Sequence, residues 1–292
     1  LLVGSDAFAQ RRAGLGGKYS ARYMTAAKGS VMIIAGPKSS QTLGAGGYFG
    51  GDAGLQFTHI EPSLDLPDGV DAPDVDYPTS MDFTFGAAYG ITPNIEAGLF
   101  LPLHLTTLGL PDGAEDNQDA LNVIPLFVSY GKVVGGNTHI GARVTANIPI
   151  CEGCNFGLTP GIPVNMRTGN GRLEAGVFLP LNFPEEIEGV DGSGDMQMGL
   201  NIPLRYSMSF TPNLFAGLET GFKKGDLSNG ENDLAIPLGL FGGYTMLAGG
   251  SVIDLVAEFT WDQFLQLDAP EGLNTLQAAT WRVGLGANIQ MS

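Results

Sequence analysis

Basic residues are scarce in this chain of 292 residues. It contains 14 Lys and Arg against 30 Asp and Glu, which gives a formal net charge of −16 at pH 7. Proteins that bind nucleic acids need basic patches to neutralise phosphates, so this balance argues against a nucleic-acid partner. Charged residues of both signs make up only 15% of the chain, against about 25% in ordinary soluble domains.

Cysteine is nearly absent, since Cys151 and Cys154 are the only two and form a single Cys-Glu-Gly-Cys motif. No second cysteine pair exists, and His59, His104 and His139 do not lie at zinc-finger spacing, which disfavours a zinc site. In an exported protein a local disulfide that pins a loop is the better interpretation. Two free thiols are the alternative. The sequence predicts no metal site and no cofactor.

Long hydrophobic runs are also missing. No stretch of 18 or more apolar residues occurs, which excludes a transmembrane helix. The mean hydropathy is nevertheless positive, at +0.11, and the chain has 44 glycines, roughly twice the usual share. A chain that is apolar on average but has no apolar helix must distribute its hydrophobic residues in another pattern.

That pattern is alternation. From Ile95 to Leu105 every second residue is apolar, and 139–150 and 280–289 repeat the arrangement. A period of two indicates strands with one apolar face. The predicted strands are longer than the usual five or six residues, and their other face carries Gly, Ser, Thr and Asn rather than Lys or Glu. Both features favour a membrane barrel over a soluble sandwich.

Short turns alternate with longer, mostly acidic loops along the chain. Counting between them predicts twelve strands, at about 45–58, 77–91, 95–108, 118–132, 138–150, 157–168, 172–184, 196–210, 214–224, 231–246, 251–264 and 276–291. An even strand number with short turns at one end and long loops at the other is typical of bacterial outer-membrane barrels. We therefore predict an all-β, up-and-down antiparallel transmembrane barrel, with short periplasmic turns and acidic extracellular loops. Four prolines on predicted inner faces indicate bends or bulges: Pro125, Pro163, Pro203 and Pro237.

Tyrosines recur shortly before the short turns and on the apolar face. They predict an aromatic girdle at the periplasmic headgroup level, formed by Tyr89, Tyr130, Tyr206 and Tyr244.

The N-terminus divides into two predicted parts ahead of the barrel at 45–292. Ala7-Phe8-Ala9 has the form of a signal-peptidase site, so residues 1–9 are interpreted as the remnant of a signal peptide, with an ordinary N-terminus as the alternative. Residues 10–44 contain the only basic stretch, including Arg11, Arg12 and Lys38. We interpret them as a periplasmic segment, a thirteenth strand or a segment that enters the lumen.

Charged residues on the polar strand faces are predicted to line the lumen, either as a pore field or as structural ion pairs. They are Asp82, Glu96, His104, Arg143, Arg172, Glu174, Arg205, Glu219, Asp254, Glu258 and Arg282. No catalytic residues are predicted, because the histidines do not accompany a nucleophile motif such as Gly-x-Ser-x-Gly.

Internal repeats carry a resemblance to a known family. Thr92-Pro93-Asn94 leading to Ala97-Gly98-Leu99 recurs from Thr211, and Leu-Pro-Leu and Ile-Pro-Leu segments recur in several strands. These motifs resemble outer-membrane β-barrel proteins and, more narrowly, the transporter family associated with the MetA pathway of phenol degradation. The resemblance implies passage of small solutes, including apolar or aromatic ones. The C-terminus departs from such barrels because Ile289-Gln290-Met291-Ser292 has no terminal Phe.

A channel or transporter in the bacterial outer membrane is therefore the leading functional hypothesis, with membrane lipid and a small solute as partners. A structural or adhesin-like barrel is the alternative, and an outer-membrane enzyme is less favoured. The acidic loops predict cation preference and are weak candidates for binding divalent cations. The sequence carries no signal for an oligomeric state.

Overall fold

A closed antiparallel β-barrel with twelve strand positions forms the fold in the computed structural model of this chain, which confirms the predicted architecture and strand number. The structure describes residues 18–22, 24–44, 52–59, 77–110, 115–116, 118–151, 153–184, 194–227, 234–266 and 280–291. Within those residues, no helix is long and apolar enough to cross a membrane.

Several sequence-based predictions lie outside the described residues. They are the signal-peptide remnant at 1–9, the basic residues Arg11 and Arg12, and most of the acidic loops at 59–76 and 185–195.

In the described residues, fifteen strand segments fill the twelve positions, because three positions each hold two successive segments. The segments are β1 (Val31–Ala35), β2 (Gly54–His59), β3 (Thr79–Gly90), β4 (Ile95–Leu108), β5 (Val123–Val134), β6 (Thr138–Pro149), β7 (Phe156–Thr168), β8 (Gly171–Phe178), β9 (Leu181–Phe183), β10 (Gln197–Met198), β11 (Leu200–Ser209), β12 (Leu214–Lys224), β13 (Ala235–Ala248), β14 (Ser251–Gln266) and β15 (Trp281–Met291). A single 3-10 turn, Tyr19–Ala21, precedes them. The connections after β3, β5, β7, β11 and β13 are short, and we call that side of the barrel the short-turn end and the other side the long-loop end.

Two short strands share the first position in the wall. β1 pairs with residues 287–291 of β15 and 86–89 of β3, whereas β2 pairs with 281–285 and 79–84 of the same two neighbours. The chain therefore leaves the wall after β1 and returns at β2. The wall begins at β1, which corrects the predicted barrel boundary at residue 45 and the interpretation of this run as a thirteenth strand.

Glycines make this interruption possible. A Cβ added to Gly36 would lie 2.6 Å from the backbone nitrogen of Ala287, and one added to Gly54 would lie 2.5 Å from the carbonyl oxygen of Leu285. Gly54 also has a φ of 101°, which L side chains rarely adopt. The chain can leave and re-enter the wall against β15 because both sites lack a side chain.

The prediction of bends or bulges at the inner-face prolines is confirmed by a bulge at Pro237, and the ladders show no bulge at the other three. A register shift occurs between Ile236 and Leu238, whereas Pro125, Pro163 and Pro203 stand in continuous ladders with β6, β8 and β12. Pro125 lies just past the β4–β5 ladder, which stops at Leu126, so its missing N–H breaks no hydrogen bond on that side.

The strands present an apolar outer face and a largely polar inner face. On β5, the side chains of Leu126, Val128 and Tyr130 are exposed, whereas those of Phe127 and Ser129 are buried. The four predicted girdle tyrosines, Tyr89, Tyr130, Tyr206 and Tyr244, are all exposed on the outer face. An outward apolar band is what a lipid environment requires.

Candidate transport lumen

The inner wall holds charged side chains that are cut off from water. Eight of the predicted lumen residues are almost fully buried: Glu96, Arg143, Arg172, Glu174, Arg205, Asp254, Glu258 and Arg282. Glu219, His104 and Asp82 are more exposed, and the side chain of Asp82 reaches 36%. Charges buried in this way need partner groups inside the lumen.

The N-terminal segment supplies many of these partners. It enters the barrel twice, on either side of β1. We call residues 18–22 and 24–30 the lower crossing, near the short-turn end, and residues 36–44 the upper crossing.

The lower crossing begins with an aromatic anchor. The ring of Tyr19 stacks on Phe215 with centroids 3.8 Å apart and planes within 4°. The guanidinium of Arg172 lies over the other side of the ring, 4.5 Å from its centroid, and Arg172 Nη1 donates to the Tyr19 carbonyl at 3.1 Å. Phe241 and Val256 complete this apolar cluster. Tyr19 is thus held between an apolar cluster and a buried cation.

Two wall carboxylates fix the rest of the lower crossing. Arg22 forms an ion pair with the buried carboxylate of Asp254. On β4, Glu96 accepts a hydrogen bond from the backbone N–H of Ala26 at 2.6 Å. Glu96 also accepts from Gln41 of the upper crossing at 3.1 Å. The two crossings therefore share one wall carboxylate.

Glycines in the wall let the lower crossing approach closely. A Cβ on Gly90 would lie 2.0 Å from the carbonyl oxygen of Ala27, and one on Gly141 would lie 2.8 Å from the Met24 sulfur. The lower crossing thus contacts β3, β4, β6, β8, β12 and β14 and obstructs the short-turn end of the lumen.

Lys38 is the centre of the upper crossing. Its fully buried Nζ lies 2.6 Å from Asp52 Oδ2, 2.6 Å from Glu258 Oε2 and 3.0 Å from Glu219 Oε2. Its backbone N–H donates to Asp52 Oδ1 at 3.0 Å. One ammonium thereby joins the inward chain at Asp52 to two wall strands, β12 and β14.

Lys38 is also the only non-glycine residue with a positive φ, 62°, in the described part of the chain. This conformation is costly for a residue with a side chain and persists only where its surroundings enforce it. The contacts of the Lys38 ammonium and backbone N–H supply that enforcement.

Arg205 extends the charges around the wall. Its Nε donates to Glu219 Oε2 at 2.8 Å, and its Nη1 donates to the Ser39 carbonyl at 3.2 Å. Ser40 donates to Glu174 at 2.8 Å, and Glu174 also pairs with Arg172 at 3.0 Å. We call these linked groups the ion-pair network: Lys38, Arg172, Arg205, Arg282, Asp52, Glu174, Glu219, Glu258 and Asp262. Its four cations and five carboxylates nearly balance, so the network needs little further counter-charge.

A cavity of about 630 Å³ lies at the long-loop end, lined by residues of β9 to β14 and of the connections beside them. Below it a narrow space of about 30 Å³ reaches Thr42, Asp52 and Arg205. Among the described residues, the upper crossing closes the lumen below this cavity.

His104 lies between two carboxylates at the long-loop end. Its Nδ1 is 2.8 Å from Asp82 and its Nε2 is 3.0 Å from Asp116. Thr107 Oγ1 lies 3.3 Å from the same Nε2, which superficially resembles a nucleophile triad. Asp116 occupies the nitrogen that a nucleophile would need, so the geometry describes a loop tether. The hydrogen bond with His104 lowers the pKa of the exposed Asp116 carboxyl.

The structure joins Cys151 and Cys154 in a disulfide within the connection between β6 and β7. No group of three or more His, Cys, Asp or Glu side chains within the described ranges is arranged to hold a metal ion.

Sequence reasoning missed Lys38 as the centre of the lumen and placed Asp52 on a wall strand. The signal available was the basic segment facing a wall rich in carboxylates. Nothing in the local pattern identified Tyr19, Gln41 or Ser40 as contacts of the wall.

An antiparallel barrel with an apolar exterior and an occupied, ion-paired lumen is the class that fold and site define. No protein family and no curated protein matches the chain. The chain is similar to an outer membrane channel from Pseudomonas putida F1, with 10% identity over 90% of this chain and 95% of that one and a TM-score of 0.52. It is also similar to the NanC porin, with 9% identity over 82% and 99% of the two chains and a TM-score of 0.46. Only the first likeness is close enough to show a shared fold, and neither supports the narrower resemblance to the MetA-pathway family.

Proposed function

We propose that this chain is a channel of the Gram-negative outer membrane that passes small solutes through a lumen restricted by residues 18–44. The apolar exterior and polar interior of the closed barrel support this proposal. The protein of shared fold from Pseudomonas putida is described as an outer membrane channel, which agrees with it.

The observation that carries the proposal is the pair of crossings. They are attached to the wall by hydrogen bonds and ion pairs at Glu96, Glu174, Asp254 and the ion-pair network. Water that enters the lumen can replace such polar contacts with hydrogen bonds of its own, which it cannot do for an apolar core. A constricted channel is therefore the function that this geometry favours.

The solute is proposed to be small and polar. Apart from small apolar clusters around Phe100 and Phe215, the described inner wall consists mainly of charged, amide and hydroxyl side chains. Desolvating these groups against an apolar molecule would leave them unpaired. Passage of apolar or aromatic molecules, implied by the family resemblance, remains a prediction without support from this wall.

A structural barrel without transport is the second candidate. The near-balance of charge between the upper crossing and the wall favours it, because a satisfied network has little reason to open.

Planar-bilayer recordings of the full chain and of a variant lacking residues 10–28 distinguish the two functions. The deletion removes most of the lower crossing and leaves β1 in the wall, so a channel should show a clear rise in single-channel conductance. A change in its electrophoretic mobility on heating verifies that the variant still forms a barrel. If neither protein conducts and liposomes take up no solute, although the barrel is intact, the structural candidate is favoured.

Matched single substitutions refine this test. Arg22→Ala removes the partner of buried Asp254, whereas Lys18→Ala removes a cation that bonds the exposed turn residue Asn170. We expect altered conductance only for Arg22→Ala. Cation preference, which we propose from the acidic loops, is tested by reversal potentials in a salt gradient.

A further inference from the structure

The cavity at the long-loop end has the size and lining of a solute site. Its volume is about 630 Å³, within the roughly 300–1,000 Å³ of small-molecule pockets. The polar residues that line it include Asn182, Gln197, Asn201, Lys223 and Asp262. It stands directly above the ion-pair network, because the narrow space beneath it shares Asn201 and Lys223 with the cavity and reaches Arg205 and Arg282.

Four amide side chains line the cavity: Asn182, Gln197, Asn201 and Gln263. Each amide offers both donors and an acceptor. Asn182 Nδ2 donates to Gln197 Oε1 at 3.3 Å, whereas the buried Oδ1 of Asn182 has no hydrogen-bond partner among the described residues. In the narrow space below, Nη1 of the buried Arg282 likewise has no partner in that part of the chain. A buried acceptor and a buried donor are thus available at the two levels.

The charged groups of the cavity already have partners, including Lys224, the second lysine of the lining. Lys223 Nζ lies 3.6 Å from Asp262 Oδ1, and Asp262 also pairs with Arg282 at 3.3 Å. A solute with a net charge would compete with these pairs. Pro180, Leu200 and Ala235 add apolar surface beside the amides, which suits the C–H face of a ring that carries hydroxyl groups.

We propose that this cavity binds a small, neutral, polyhydroxylated solute such as a mono- or disaccharide. Hydroxyl groups donate and accept, and so match the amides and the unpaired Oδ1 of Asn182. An apolar solute would leave that oxygen unpaired. The inference deepens the proposed channel function by naming a solute class for the same lumen.

Calorimetric titration of the full chain in detergent micelles tests the site, with glucose and sucrose as probes and phenol and glutamate as comparisons. Sugar binding should exceed that of both comparisons. Asn182→Leu should weaken sugar binding about tenfold, as expected for the loss of one buried hydrogen bond. Asn137→Ala, at an exposed turn of the short-turn end, should leave binding unchanged. Gln197→Leu, at a more exposed position of the same cavity, is the second variant if Asn182→Leu fails to fold.

The titration tests the sugar site and the conductance recordings test the channel, so either proposal can fail while the other stands. Sugar binding that depends on Asn182, in a protein that never conducts, would keep the site and end the channel proposal. Absent sugar binding, tighter binding of phenol or glutamate, or sugar binding that neither cavity variant weakens would each overturn the site, whatever the conductance.

Discussion

We predict that Lys38→Met weakens the attachment of the upper crossing to the barrel wall more than any other single substitution in that segment. The substitution keeps an unbranched side chain of similar length and removes the ammonium group. Asp52, Glu219 and Glu258 would then lose the cation that lies within 3.0 Å of each. Arg205 and Arg282 would remain as their nearest counter-charges.

The size of the effect follows from the burial of this network. Removing one partner of a buried ion pair costs about 3–5 kcal/mol, because the other charge remains without compensation. We expect that loss in the free energy that docks the upper crossing and Asp52 inside the barrel. It corresponds to roughly a 10²- to 4 × 10³-fold change in the ratio of docked to undocked segment.

Two measurements report this change. Limited proteolysis of the folded protein in detergent should cut between β1 and β2 much faster in Lys38→Met than in the parent. Planar-bilayer recordings should show more frequent open events. The double variant Lys38→Met with Glu258→Gln removes one carboxylate together with its cation and should recover part of the protection, as a double-mutant cycle measures.

Unchanged proteolysis and unchanged conductance in a folded Lys38→Met barrel would refute the reasoning. A double variant less protected than the single one would show that Lys38 and Glu258 do not stabilise each other.

Three further predictions concern the lower crossing and the long-loop end. Gly90→Val should displace the chain near Ala27, since even a Cβ on Gly90 would lie 2.0 Å from the Ala27 carbonyl oxygen. The expected result is faster proteolysis at 24–30. Gly242→Ala is the control, because a Cβ there would have its nearest atom 3.4 Å away. The tether of His104 to Asp116 should protect the loop after β4 best where the imidazole is protonated and the carboxylate ionised, since both ring nitrogens then donate to carboxylates. Protection should fall as the imidazole loses its proton at higher pH. Because the Asp116 pKa is lowered, protection should be lost at the acid end only below the usual aspartate range. His104→Gln should flatten this pH profile, and a flat profile in the parent protein would contradict the tether. Replacing Cys151 and Cys154 with serine should cost about 2 kcal/mol or less, because so short a closed loop restricts the unfolded chain little, and a larger loss in urea unfolding would show a wider role.

The local pattern of the sequence determined the barrel. Alternation with a period of two fixes which side chains of β5 or β6 face lipid and which face the lumen, because a strand turns successive side chains to opposite sides. Short turns and long loops then fix the number of strands. These features are local along the chain, and the predicted strands agree with the structure in all but the first position and the ends of several others.

The tertiary structure alone decided what fills the lumen. Lys38 meets Glu219 and Glu258, and Tyr19 meets Phe215, across some two hundred residues of sequence, and no periodicity encodes such contacts. The sequence indicated a basic segment and an acidic wall but left open whether they meet. The break between β1 and β2 was equally hidden, because it depends on the room that Gly36 and Gly54 find against β15. Closure of the barrel brings these distant residues together inside the lumen. They pair there because an unpaired buried charge costs free energy.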